Sequence, residues 1–209
     1  MVGLANYGKS FGVLNNPVND AKYIVKSLEK HGVKSKDIIE LTSGNEDSFV
    51  LEEEFSNFVK LCSPGDLAFI FFAGHGCAFN NHQCLMALPL SNDRRKEKNE
   101  GKKQTILQSS LQIEKMLALL RKEGITQHLL LLDCCREFKT KDVLRGGAED
   151  ELADVPHAPM NVSLGPGTTI GYATSPGDYA LDGGKVDGKK ADNGKDTSYG
   201  PPYTSYYKC

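Results

Sequence analysis

The chain has 209 residues, enough for one domain with a sizeable core and too few for two comfortable ones. Hydrophobic residues make up 39% and charged residues 25%, an ordinary globular balance, and 25 Lys and Arg against 27 Asp and Glu leave a net charge of −2. That near-neutral charge gives no field favouring nucleic acid or an anionic membrane, and no apolar run approaches the roughly 18–20 residues of a membrane span.

The N-terminus shows neither the basic start nor the apolar stretch of a secretory signal. Six cysteines (Cys62, Cys77, Cys84, Cys134, Cys135 and Cys209) have no metal-ligand spacing of the C-x₂-C kind, and no cofactor is expected. Two of the six are adjacent, which is awkward for a disulfide framework. Reduced thiols in a cytoplasmic setting are the simplest reading.

In chain order, residues 2–6 read as the tail of a first strand and 8–16 as a loop rich in Gly and Asn. Pro17 suits the first position of a helix. Ala21, Ile24, Val25 and Leu28 then form an apolar stripe at helical spacing that ends near Gly32. Residues 37–41 are a short strand candidate. Leu51, Phe55, Phe58, Val59 and Cys62 share one helical face, closed by Ser63-Pro64-Gly65. Residues 67–72, Leu-Ala-Phe-Ile-Phe-Phe, read as a strand buried on both faces, and they run straight into Ala73-Gly74-His75-Gly76.

Residues 84–90 read as a further strand, stopped by Pro89, and 91–104 as a solvated, lysine-rich loop. Ile113, Met116, Leu117 and Leu120 mark a third helix, ending at Gly124. The strand at 128–133 carries four consecutive leucines and stops at Asp133-Cys134-Cys135-Arg136. Residues 138–167 and 182–202 are polar, broken by Gly and Pro, and read as long loops. Between them, 168–173 is a β-branched strand. Strands alternating with helices of 10–15 residues predict an α/β fold with a mostly parallel sheet.

Two buried strands thus deliver a histidine and a cysteine, His75 and Cys135, to the carboxyl edge where open α/β sheets place their ligands. A thiol needs a base to become a nucleophile near neutral pH, and histidine, with an ordinary pKa of about 6.5, is the usual one. The backbone N–H groups of Gly76 and Cys135 are candidates for an oxyanion hole. No third, orienting residue stands out. His31, His82, His128 and His157 lack this context and read as surface or packing residues, and Cys62 as core.

Phe71-Phe72-Ala73-Gly74-His75-Gly76 resembles the histidine motif of the caspase-like cysteine peptidases, and Leu131-Leu132-Asp133-Cys134-Cys135-Arg136 resembles their cysteine motif. Within that group the Asp-x-Cys-Arg sequence is most similar to paracaspases and bacterial caspase-like peptidases. Metacaspases usually follow the cysteine with His-Ser-Gly. The segments 14–21, 171–177 and 202–205 also resemble family segments, so the likeness spans residues 2–207.

The resemblance implies a single caspase-like peptidase domain over 1–209, a three-layer α/β/α sandwich, with the C-terminal part of the fold missing. It makes Cys135 the nucleophile, with Cys134 at a variable position. It places Asp133, Asp20 and Asp182 around the S1 pocket, which favours protein or peptide substrates with a P1 arginine or lysine. By the same likeness, a homodimer would form through the C-terminal region, Arg145 and Lys141 are candidate self-cleavage points, and calcium dependence is open although no EF-hand spacing is present. The alternative is a non-catalytic scaffold or signalling module of the same fold. An Asp-directed peptidase is disfavoured, because Asp133 would repel an acidic P1.

Overall fold

The computed structural model describes residues 1–79, 82–89, 109–134, 165–173, 185–186 and 189–190. Strand β1 (Val2–Gly3) leads into a one-turn helix α1 (Gly8–Phe11) and then α2 (Pro17–Lys30). Pro17 occupies the first turn of α2, where its missing N–H costs nothing. Helix α3 (Ser48–Leu61) is capped by Asp47, whose side chain accepts hydrogen bonds from the N–H groups of Phe49 and Val50, both at 3.1 Å. Strands β2 (Leu67–Ala73), β3 (Gly76–Phe79), β4 (His82–Met86) and β5 (Ser110–Gln112) follow. Helix α4 (Ile113–Lys122) precedes β6 (Gln127–Asp133) and β7 (Thr168–Tyr172).

The main sheet has the order β1-β2-β6-β7, and every neighbouring pair is parallel. The two apolar runs, β2 and β6, take the central positions, where a strand meets protein on both faces. Their side chains alternate between two helical layers. Ala68, Ile70 and Phe72 of β2, with Leu130 and Leu132 of β6, join the larger core with Leu51 and Val59 of α3 and Leu117 and Leu120 of α4. Phe71 and Ala73, with Phe69 and Leu131 beside them, pack instead against Ala21 and Ile24 of α2. The result is the expected α/β/α sandwich.

A close approach fixes α2 at the carboxyl end of the sheet. A Cβ on Gly3 would overlap the Pro17 carbonyl oxygen and come within 2.8 Å of the Ala21 methyl group, so only glycine lets β1 and α2 meet this closely. On the other face, β3, β4 and β5 form a separate antiparallel sheet next to α4.

Four expectations change. Residues 8–16 contain α1, closed into a small loop by Tyr7 N–H to Gly12 O at 3.0 Å and Leu14 N–H to Ala5 O at 2.9 Å. The strand expected at 37–41 is a 3₁₀ turn (Ser35–Asp37) followed by a single parallel bridge from Leu41 to Val2. The strand expected at 84–90 is β4, and β3 and β5 flank it because Gly76–Phe79 and Ser110–Gln112 supply two pairing edges. Within the loop expected at 182–202, β8 (Lys185–Val186) and β9 (Lys189–Lys190) pair antiparallel. The loop expected at 91–104, and all of 138–167 except its last three residues, lie outside the described residues.

Candidate active site

Strands β2 and β6 run in register from Leu67 opposite Gln127 to Ala73 opposite Asp133. The ladder closes with Gly74 N–H donating to Asp133 O at 3.2 Å. His75 and Cys135 therefore each follow the last register pair by two residues. Cys135 and Asp182 lie outside the described residues; His75, Gly76, Asp20 and Asp133 lie within them.

His75 is half-buried and held from three sides. Its Nε2 lies 3.1 Å from the carbonyl oxygen of Phe11. A carbonyl only accepts, so Nε2 carries the hydrogen and Nδ1 is the unprotonated nitrogen of the neutral ring. The imidazole packs against Tyr7 edge to face, with centroids 4.6 Å apart, and against Phe11 at 6.0 Å. Its backbone N–H donates to the Tyr7 hydroxyl at 2.9 Å, and its carbonyl accepts from Met86 N–H at 2.9 Å.

The orienting group absent from the sequence reading is thus a main-chain carbonyl, that of Phe11, presented by the α1 loop. No side-chain pattern marks a carbonyl, so the sequence holds no direct signal for it. Tyr7 was also missed, although a tyrosine directly after the predicted first strand is visible in the sequence.

Gly76 opens β3 and is buried opposite Leu85. Because Met86 N–H bonds to His75 O, the Gly76–Leu85 pair is the kind that exchanges no ladder bonds. The N–H of Gly76 accordingly points away from β4, and no side chain on Gly76 covers it.

Asp133 belongs with Leu131 to the sheet face that packs on α2, by the alternation of β6. Asp20 lies in the first turn of α2, directly before Ala21, which contacts Ala73 in that same small core. These two acids share one face and one end of the sheet. Cys134 points the other way and is fully buried in the larger core, alongside Tyr7, Cys77 and Cys84.

Burial sets the electrostatics of that neighbourhood. The Tyr7 hydroxyl is pushed well up by burial; its hydrogen bond from His75 acts the other way, and the Cys134 sulfur adds to the rise. Cys77 and Cys84 stand opposite each other on β3 and β4 as buried thiols. Burial raises Cys77, while the hydrogen bond from Cys77 lowers Cys84. Among the described residues no group of three His, Cys, Asp or Glu side chains is arranged to hold a metal ion. Among them, too, no helix is long and apolar enough to cross a membrane.

His75 thus stands at the carboxyl edge of a parallel sheet with Nε2 donating to a main-chain carbonyl, which leaves Nδ1 as the nitrogen able to take up a proton. The family model of the caspase domain matches residues 1–200, and the chain belongs to this family of cysteine peptidases. The family implies protein substrates. The comparison with curated proteins yields no match.

Proposed function

We propose that the chain is a cysteine endopeptidase that works through a His75–Cys135 dyad and cleaves after arginine, with lysine as the second choice. His75 Nδ1 takes the proton of the Cys135 thiol, and the thiolate attacks the scissile carbonyl. The oxyanion sits between the N–H groups of Gly76 and Cys135. The imidazolium then protonates the leaving amine. Water, deprotonated by the same ring, releases the acyl group and restores the thiol.

The observation that carries this reading is the bond from His75 Nε2 to the Phe11 carbonyl, because it selects the tautomer a base needs. The outward N–H of Gly76 supports the oxyanion role. Asp20 and Asp133, on the α2 face, support a basic P1, since a guanidinium binds a carboxylate through paired charge-assisted hydrogen bonds. The family likeness adds Asp182 to this set of acids. The Asp-Cys-Cys-Arg sequence supports a likeness to the paracaspases and bacterial caspase-like peptidases. The adjacent pair Cys134-Cys135, awkward for a disulfide framework, supports a reducing, cytoplasmic setting.

The test is cleavage of two fluorogenic peptides differing only at P1, Arg against Asp, with and without calcium. Wild type cleaves the Arg peptide. Cys135→Ala lowers turnover by about 10³-fold or more, as removal of a nucleophile does, while Cys134→Ala retains it. Cleavage of the Asp peptide would overturn the acidic pocket. Silence on both peptides from folded protein would leave the scaffold reading instead.

A further inference from the structure

We infer that Tyr7 is a positioning residue for His75, acting by inserting its hydroxyl into the β3–β4 ladder. The inference rests on the reading of His75 as the base. In an antiparallel hydrogen-bonded pair the two residues exchange both N–H···O bonds. His75 and Met86 form the pair next in register to Gly76 and Leu85, yet only one bond between them is direct: Met86 N–H to His75 O at 2.9 Å. In place of the other, His75 N–H donates to the Tyr7 hydroxyl at 2.9 Å, which donates in turn to Met86 O at 3.2 Å.

A second observation shows that the space is built for that hydroxyl. A Cβ on Gly74 would collide with the Tyr7 oxygen, so the first glycine of Gly74-His75-Gly76 clears its seat. Tyr7 also closes the α1 loop, through its N–H to Gly12 O at 3.0 Å, and that loop presents the Phe11 carbonyl. One residue therefore ties together both anchors of the imidazole: its main-chain N–H closes the loop that carries the carbonyl on Nε2, and its hydroxyl holds the backbone of His75. Without the hydroxyl, His75 N–H and Met86 O are free to pair directly. The ladder then closes by one bond and draws His75 toward β4, away from Phe11.

The test is ¹⁵N NMR of the histidine rings in the full chain, with the His75 signal assigned by its loss in His75→Gln, run beside turnover of the Arg peptide. In wild type His75 holds the Nε2–H tautomer and its backbone amide exchanges slowly with solvent. In Tyr7→Phe the ring becomes a tautomer mixture, and kcat falls by about 10²-fold, the scale of an ångström's misplacement, with KM little changed. Leu51→Ala removes a buried side chain of the same core on α3, and it leaves the His75 tautomer as in wild type. An unchanged ring in Tyr7→Phe would overturn the inference, and so would the same ring change in Leu51→Ala. So would free-chain exchange of the His75 amide in wild type, a result that needs no variant to fold. Wild type that cleaves neither peptide yet gives the expected spectra defeats the peptidase reading and sustains the role of Tyr7.

Discussion

The residues that hold His75 do so largely through the main chain. Phe11 contributes a carbonyl, Met86 an N–H, and Gly74 an absence of side chain. This is why the place of His75 just after an apolar strand was legible in the sequence while the groups around it were not. A backbone carbonyl has no residue type, and the hydroxyl of Tyr7 matters only because folding brings it to a ladder 68 residues further along the chain. His128, buried among the described residues, does packing work, in line with its sequence context. His128 Nε2 faces Ile125 O at 2.9 Å and therefore carries the hydrogen; Nδ1 accepts from the Thr168 hydroxyl at 2.8 Å, which accepts from Arg121 Nη2 at 2.8 Å. Burial holds His128 below its ordinary value of 6.5; the Ile125 carbonyl opposes this and the Arg121 charge adds to it. The folded state thus binds this proton less readily than the unfolded chain. Stability is full above about pH 6.5 and falls as the pH drops through the folded value, by at most about 1.4 kcal/mol per pH unit for one proton. Urea unfolding from pH 7.5 to 5 measures the slope. His128→Gln flattens it, and an unchanged slope in that variant would reject the assignment.

At the scale of elements, legibility followed burial. Strands β2 and β6, central in the sheet, are near-continuous apolar runs and were placed to within a residue at each end. Helices α2, α3 and α4 each carry a clear apolar stripe, and each stripe meets the core. The β3–β5 sheet was read as one strand because Gly76-Cys77-Ala78-Phe79 looks like a loop and Ser110-Leu111-Gln112 is too short to show a period. Two contacts between elements give direct tests. Asp47→Ala removes the cap of α3 and costs about 0.5–2 kcal/mol in chemical denaturation. Gly3→Ala forces β1 and α2 apart at a cost of about 1–3 kcal/mol. Since the first turn of α2 carries Asp20, that substitution also raises KM for the Arg peptide more than it lowers kcat. Equal KM for wild type and Gly3→Ala would separate Asp20 from the S1 pocket.

Across the whole molecule, the two faces of one parallel sheet divide the labour. The face toward α3 and α4 holds the large core, and Cys134 is buried there with Tyr7. The face toward α2 is thinner and brings Asp20 and Asp133 to the carboxyl edge. Between them, at that edge, β2 delivers a histidine whose Nδ1 is left as the acceptor nitrogen. Of the two adjacent cysteines, Cys134 serves the core, and Cys135 is the proposed nucleophile. The most direct test is to treat the protein with an arginyl chloromethyl ketone and map the adduct by mass spectrometry. The account predicts a single adduct on Cys135 that is absent in His75→Ala. An adduct on Cys134, or none on a folded protein, would contradict it.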